Sequence, residues 1–143
     1  MRLWHYELIP VLPKKQLVSQ WRECISIKRR WEQNKSDSPL IIYVRNYEKR
    51  YFRNYILTLI GELYKRHIKI KQIYINELFD FCANMYINDN EINYSKYYPE
   101  HNDRYLKQCY YNLQEKYDRG IITEEEWTKI TDNINIDYLT MCR

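Results

Sequence analysis

A long amphipathic helix near the start of the chain is the feature that most constrains the fold. It is predicted over residues 12–31, LPKKQLVSQWRECISIKRRW, because apolar side chains recur there at the three-to-four spacing of a helix face. One face carries Leu17, Trp21, Cys24 and Lys28, and a neighbouring face carries Gln16, Gln20, Glu23 and Ile27. Such a helix must bury one side, so the rest of the chain is expected to be organised around it.

Glu23 stands out in this helix because the other charged residues from Lys14 to Arg30 are all basic. Nearby cations favour the charged form of an acid, so Glu23 is expected to stay ionised. Two interpretations are open on the residues alone. Glu23 is either a solvated surface group paired within the helix, with Lys28 beside it and Arg22 turned to solvent, or an acid with a catalytic task.

The net charge of +4 conceals a strong asymmetry along the chain. Residues 1–72 contain 16 Lys and Arg against 6 Asp and Glu, whereas the remainder contains 7 basic and 13 acidic residues. Basic charge collected in one half is typical of a surface that faces phosphates. The pattern favours a polyanionic partner and does not choose among DNA, RNA and an acidic protein.

Length and cysteine content place further bounds. A chain of 143 residues fits a single domain, residues 1–143, with a core large enough to be stable without disulfides or a bound metal. The four cysteines, Cys24, Cys82, Cys109 and Cys142, form no C-x-x-C pair, so neither a zinc site nor a disulfide framework is expected. No apolar run is long enough to cross a bilayer. We therefore expect a soluble, cytoplasmic protein.

The remaining pattern predicts an all-α fold, a compact helical bundle preceded by an extended N-terminal arm. In the arm, residues 1–13, Trp4, Leu8 and Leu12 should pack inward while Arg2, His5 and Glu7 stay outside. Residues 40–44 form a short apolar run that resembles a strand. Further elements are a loop over 33–39, helices over 47–67, 75–86 and 100–117, a polar linker over 88–98, a stop at Gly120, and a last helix that begins with a capping box at Thr123–Glu126.

Several short motifs occur in the same order and spacing as in a known protein family. Leu8, Leu12, Leu17 and Trp21-Arg22-Glu23 fall in one ungapped frame, followed by Leu59-Ile60-Gly61-Glu62 with Lys65-Arg66, and later by Leu113 with Glu115-Lys116. This arrangement resembles the pyrimidine-dimer DNA glycosylases of the phage T4 endonuclease V type. The opening MRLWH and Pro99-Glu100-His101 resemble a bacterial branch of that family.

The resemblance implies a DNA repair activity on pyrimidine dimers or abasic sites. An amine breaks the bond between sugar and base, forms a Schiff base at C1′, and the strand is then cut by β-elimination, which is AP-lyase activity. The catalytic residues implied are Glu23 and the N-terminal amine. Because Arg2 is too large to allow removal of the initiator residue, that amine would belong to Met1. No metal or organic cofactor is implied.

The implied partner is double-stranded DNA that contains a lesion, bound by a monomer. The candidate DNA-binding residues are Arg2, His5, Lys15, Arg22, Lys28, Arg29 and Arg30. Position 26, basic in the phage type, is Ser26 here, and the last three of these cations are its nearest substitutes. Two other classes stay open: a non-catalytic nucleic-acid-binding helical protein, and a protein-interaction bundle that uses the acidic C-terminal half.

Overall fold

The computed structural model describes residues 2–83 and 97–141, except the side chains at positions 83, 140 and 141. The helices are α1 (Lys14–Glu32), α2 (Lys49–Lys65), α3 (Gln72–Ala83), α4 (Asp103–Asp118), α5 (Glu124–Asn133) and α6 (Ile136–Met141), with 3-10 helices at Tyr6–Val11 and Ile42–Asn46. Within these ranges no strand occurs, and the predicted all-α class is confirmed. Met1, Cys142 and most of the predicted linker 88–98 lie outside the described residues.

Helix α1 begins directly after Pro13, whose carbonyl accepts the first helical hydrogen bond from Leu17 N. It ends where Asn34 takes a positive φ of 55° and Lys35 N donates back to the Arg30 carbonyl, a common way to close a helix. The buried side of α1 consists of Leu17, Gln20, Trp21, Cys24, Ile25, Ile27 and Lys28. The predicted helix is therefore confirmed, and its buried side includes one amide and one lysine.

The other helices enclose α1 and the start of the chain. Helices α2 and α3 pack against α1 and against each other, and the 3-10 helix Tyr6–Val11 lies against α2 and α5. Helix α4 contacts α5 and α6. One continuous apolar cluster joins these elements and includes Leu8, Leu17, Ile27, Phe52, Leu59, Leu78, Leu113 and Ile130. None of the helices in the described part of the chain is long and apolar enough to cross a membrane.

The N-terminal segment, residues 2–13, differs from the prediction of an extended arm because Tyr6–Val11 is a 3-10 helix. Arg66 from the end of α2 stabilises it: Nη1 donates to the Leu12 carbonyl at 2.7 Å and Nη2 to the Pro10 carbonyl at 3.1 Å. The guanidinium also donates through Nε to Glu62 at 2.7 Å. The predicted burial of Trp4, Leu8 and Leu12 is confirmed.

Other local predictions had mixed outcomes. Gly120 has a φ of 77° after α4, and Thr123 forms the predicted capping box with Glu126, so both signals are confirmed. The strand-like run 40–44 instead leads into the 3-10 helix Ile42–Asn46. Helix α6 was not predicted, because it is only six residues long and no apolar period is visible over that length.

Candidate active site

Gln20 connects the start of the chain to Glu23. Its Nε2 donates to the Arg2 carbonyl at 3.1 Å and to Glu23 Oε2 at 2.9 Å. Two acceptors bound to one amide nitrogen lie within about 6 Å of each other. The Arg2 backbone and the carboxylate of Glu23 are therefore neighbours, although the two residues belong to different elements.

The backbone of residues 2–4 is held by side chains from three helices. From α1, Gln20 Oε1 accepts from Trp4 N at 2.7 Å. From α2, the Tyr55 hydroxyl lies between the Trp4 carbonyl, at 2.6 Å, and Gln20 Oε1, at 3.1 Å. From α4, the Tyr105 hydroxyl donates to the Leu3 carbonyl. Each backbone carbonyl from Arg2 to Trp4 thus has a side-chain donor, which fixes the direction of the chain as it leaves this site towards its first residue.

Glu23 is half-buried at this point of α1. Burial raises the pKa of its carboxyl group, whereas the positive charge of the α-amino group and the hydrogen bond from Gln20 act in the opposite direction. Burial outweighs the neighbouring charge, so the direction differs from what the basic sequence around Glu23 suggests. A carboxyl group with a raised pKa, still open on one side, is suited to proton transfer.

A groove with a basic rim runs beside this site. This basic groove has a volume of about 470 Å³ and is bordered by Arg22 and Arg29 from α1 and by Lys69 and Lys71 from the α2–α3 connection. Its floor is apolar, with Trp21, Ile25, Leu63 and Ile68, and Tyr74 forms part of the wall. No carboxylate lines it within the described residues. Glu23 does not line the basic groove, and Arg22, the preceding residue in sequence, is the lining residue closest to it along α1.

Two of the predicted DNA-binding cations are paired with Glu77 of α3. Arg29 donates to both carboxylate oxygens of Glu77, from Nε and Nη2 at 3.0 Å each, and Lys28 Nζ lies 3.3 Å from Oε2. Lys28 is only 8 % exposed and also pairs with Glu32. Burial alone would lower the pKa of Lys28, but the two carboxylates together raise it. Lys28 is consequently a charged structural residue on the inner side of α1.

His5 is 2 % exposed, so the prediction that it lies outside is wrong. Its Nδ1 accepts from Glu7 N at 3.1 Å, and its ring stacks on His101 with centroids 5.3 Å apart. Burial lowers the pKa of His5 to about 4 and that of His101 to about 3. A buried neutral imidazole with these contacts is positioned to hold the N-terminal segment.

The remaining predicted cations occupy separate places. Arg2 is half-buried, and its guanidinium lies 5.7 Å from the centre of the Trp4 ring. Lys15 and Arg22 are exposed on α1. Arg30 lies 3.9 Å from the buried carboxylate of Asp37. The structure thus brings Arg22 and Arg29 to the same groove, and it places Arg30 on a different side of α1.

Sequence reasoning missed several residues that define the site. Gln20 was assigned to a helix face but given no role, because an amide within a helix carries no sign of its partners 16 and 18 residues away. Glu77 was not connected to α1, from which it is separated by 48 positions. Lys69 and Lys71 alternate with apolar Ile68 and Ile70, a pattern that could have indicated one basic and one buried side.

Comparison with known proteins supplies the family. A family model described as pyrimidine dimer DNA glycosylase matches residues 1–76, slightly more than half of the chain. The matched part includes Glu23, Gln20, Arg22 and the basic groove. No curated protein and no solved structure matched the chain. The chain therefore belongs to the pyrimidine dimer DNA glycosylase family.

Proposed function

We propose that the protein is a DNA glycosylase with AP-lyase activity that uses the α-amine of Met1 as nucleophile and Glu23 as its acid–base and charge-stabilising partner. Family membership supports the glycosylase role and a DNA substrate. The observation that carries the mechanism is the shared amide nitrogen of Gln20, bound to both the Arg2 carbonyl and Glu23. The first residue is only one peptide unit, about 3.8 Å between Cα atoms, beyond Arg2.

In the proposed reaction the neutral amine attacks C1′ of the damaged nucleotide and the bond from C1′ to the base breaks. Loss of a proton from nitrogen and opening of the sugar ring then give an iminium, which Glu23 stabilises as a carboxylate. Removal of a proton from C2′ leads to β-elimination, in which the 3′ phosphate departs and the strand is cut. Water finally hydrolyses the Schiff base and regenerates the amine.

The α-amine suits this chemistry better than a lysine side chain. Its unperturbed pKa of about 7.7–8.0 leaves a useful neutral fraction near pH 7, whereas that of lysine is about 10.4. Glu23 complements it, because burial raises the pKa of the carboxyl group towards the range in which it can take up and return protons. The two groups therefore divide the work into nucleophilic attack and proton transfer.

The DNA backbone is proposed to follow the basic groove. Arg22 is exposed at its edge beside Glu23, and Lys69 and Lys71 extend the same positive surface. Arg29 contributes part of its charge, since Glu77 neutralises it in the unbound protein. His5 and Lys28 are not assigned phosphate contacts because both are buried. Phosphate contacts of this kind set position and affinity, and the lesion is selected elsewhere.

Borohydride trapping tests the nucleophile directly. The protein is incubated with a duplex that contains an abasic site or a thymine dimer, and borohydride then reduces the Schiff base to a stable secondary amine. Peptide mapping by mass spectrometry is expected to locate the adduct on residue 1. Acetylation of the α-amine should abolish the adduct.

An adduct on a lysine side chain would show that the proposed nucleophile is wrong, although the protein would still be a lyase. Absence of any adduct, together with strong and salt-dependent duplex binding, would favour a non-catalytic nucleic-acid-binding protein. The acetylated protein serves as the matched control, because its helices and basic groove are unchanged.

A further inference from the structure

The side chain of Gln20 uses both of its hydrogen-bond donors and its carbonyl oxygen. The two hydrogens on Nε2 are donated to the Arg2 carbonyl and to Glu23, and Oε1 accepts from Trp4 N. Oε1 also lies 3.1 Å from the Tyr55 hydroxyl, whose single hydrogen points to the nearer Trp4 carbonyl at 2.6 Å. With an exposed fraction of 0 %, Gln20 has no contact with solvent.

The bond to Glu23 distinguishes Gln20 from an ordinary buried amide. Glu23 is half-exposed, so water could satisfy its carboxylate without help from the protein. Instead, Gln20 directs one oxygen of Glu23 towards the segment that leads to the first residue. The same side chain therefore fixes the rotamer of the acid and the path of the chain start.

We propose that Gln20 is a positioning residue that aligns the α-amine with Glu23 so that both reach the same sugar carbon. This inference rests on the proposed function. Small displacements of reacting groups reduce rates steeply, because catalysis by proximity requires a near-attack geometry. Gln20 itself touches neither the sugar nor the phosphates; it acts through Glu23 and through the backbone of residues 2–4.

No other side chain of similar size would serve. Glutamate matches the shape of glutamine but has no donor for the Arg2 carbonyl, and its charge would face that of Glu23. Asparagine is shorter by one methylene and cannot span the distance between the two elements. Methionine fills the volume but makes none of the three hydrogen bonds to Trp4 N, the Arg2 carbonyl and Glu23. The carboxamide is thus required for its donors and for its length.

The test compares Gln20→Met with a control, Tyr98→Phe. Tyr98 is also buried, and its hydroxyl donates one hydrogen bond, to the Val44 carbonyl at 3.1 Å, which is outside the set of bonds that hold residues 2–4. Three quantities are measured for each protein: the unfolding midpoint in urea, the affinity for an abasic duplex, and the single-turnover rate of borohydride-trappable adduct formation.

We expect Gln20→Met to bind the duplex within about twofold of the parent and to form the adduct roughly 10–100-fold more slowly, as for a misplaced reacting group. Tyr98→Phe should lower the urea midpoint without a change in the single-turnover rate. An equal rate in Gln20→Met and the parent would overturn the positioning role while leaving the proposed function intact. Absence of an adduct in the parent protein would instead reject both.

Gln20→Glu keeps the inference testable if Gln20→Met does not fold. Gln20 donates to Glu23, and the positive charge of the α-amino group lowers the pKa of the Glu23 carboxyl group, so a carboxylate at position 20 adds a like charge beside Glu23. The acid limb of the pH–rate profile is expected to move to higher pH by roughly one unit. At a pH above this limb, where Glu23 is ionised in the variant as well, the single-turnover rate should still be roughly 10-fold below that of the parent, because the donor to the Arg2 carbonyl is missing. A folded variant that reaches the rate of the parent there would contradict the proposal.

Discussion

In the N-terminal half of α1, Glu23 accepts a hydrogen bond from a neutral amide, whereas in the C-terminal half Lys28 and Arg29 share the carboxylate of Glu77. Burial raises the pKa of Glu23, while hydrogen bonds from Arg29 lower the pKa of Glu77. Glu23 belongs to α1, whereas Glu77 reaches α1 from α3 at Lys28 and Arg29, within two turns of Glu23. The two pKa values shift in opposite directions because burial is the larger effect at Glu23, whose partner is a neutral amide, whereas Glu77 has two cations as partners.

The difference extends to the surfaces on either side. Residues 2–6 of the N-terminal segment are held by neutral donors and acceptors, which are Gln20, Tyr55, Tyr105 and the pair of histidines. The side that borders the basic groove is held by the ion pair of Glu77 with the exposed Arg29. Neutral buried networks respond to protonation, and exposed ion pairs respond to salt and to competing anions. The first region can hold a reacting group in place, and the second can exchange its partner for a phosphate.

We expect the largest effect on turnover when Glu23 is substituted, and almost none when Glu77 is substituted. Glu23→Gln preserves shape and removes the charge, so turnover on dimer-containing or abasic DNA should fall by roughly 10²-fold or more. Glu77→Gln should leave turnover at saturating DNA close to that of the parent. Steady-state cleavage assays with both variants check this. Equal activity of Glu23→Gln and the parent would remove Glu23 from the mechanism.

Acid should destabilise the N-terminal region through its histidines. Tyr6 N donates to His101 Nδ1 at 3.2 Å. If His101 Nδ1 becomes protonated, two N–H donors point at each other and this hydrogen bond is lost. His5 and His101 have folded pKa values of about 4 and about 3. The unfolded chain therefore binds more protons below about pH 6.5, and stability falls as the pH decreases from there towards 4.

For the two groups together the loss is expected to be about 2 kcal/mol per pH unit. Urea unfolding between pH 6.5 and 4.5 measures this slope. His101→Gln should reduce the slope, whatever its effect on absolute stability. His67→Gln is the control, because His67 is exposed after α2. A slope that is the same in His101→Gln and the parent would show that other groups cause the acid sensitivity.

Local patterns in the sequence predicted the helices but not their partners. Periodicity and the end signals at Gly120 and Thr123 depend on neighbouring residues, and these predictions were confirmed. His5 appeared external because its partner His101 is 96 positions away in the chain. The 3-10 helix at Tyr6–Val11 was missed for a related reason, since Arg66 from α2 satisfies its last carbonyls.

The sequence indicated the acidic residue of the candidate site, Glu23, but not the residues whose contacts hold the site together. Glu23 and Arg22 were identified by resemblance and by charge. Arg22 lines the basic groove, whereas Glu23 is bonded to Gln20 outside it. The roles of Gln20 and Glu77 depend on contacts between elements, which residue spacing within one helix does not reveal. The count of basic residues also gave no sign that Lys28 is buried and paired with Glu77 and Glu32.

Removal of Arg22 should weaken DNA binding without affecting the fold. Arg22 is exposed, and none of the described carboxylates forms an ion pair with it. Arg22→Ala is expected to reduce duplex affinity by about tenfold at low salt and to lower the slope of log K against log salt by about 1. Fluorescence anisotropy over a salt series measures both. Arg119→Ala, on the acidic side at the end of α4, is the matched control and should bind as the parent does.

Release of Arg29 from Glu77 should have the smallest effect on duplex affinity. It should raise the affinity, whereas loss of Arg22 lowers it. Glu77→Gln removes the charge that neutralises Arg29 at the edge of the basic groove, so affinity for duplex DNA should rise by about threefold at low salt. The gain should disappear at high salt, since it reflects an added phosphate contact. Glu32→Gln is the matched control, because Glu32 pairs with Lys28 and does not contact Arg29.

A double-mutant cycle tests whether Glu77 affects DNA binding through Arg29. If Glu77 restrains Arg29, the gain from Glu77→Gln should vanish when Arg29 is already alanine, because no guanidinium remains to be released. A gain that persists in the Arg29→Ala background would mean that Glu77 repels DNA directly. In that case the ion pairs beside the basic groove would not be exchangeable for phosphates, and the contrast between the two halves of α1 would reduce to their pKa values alone.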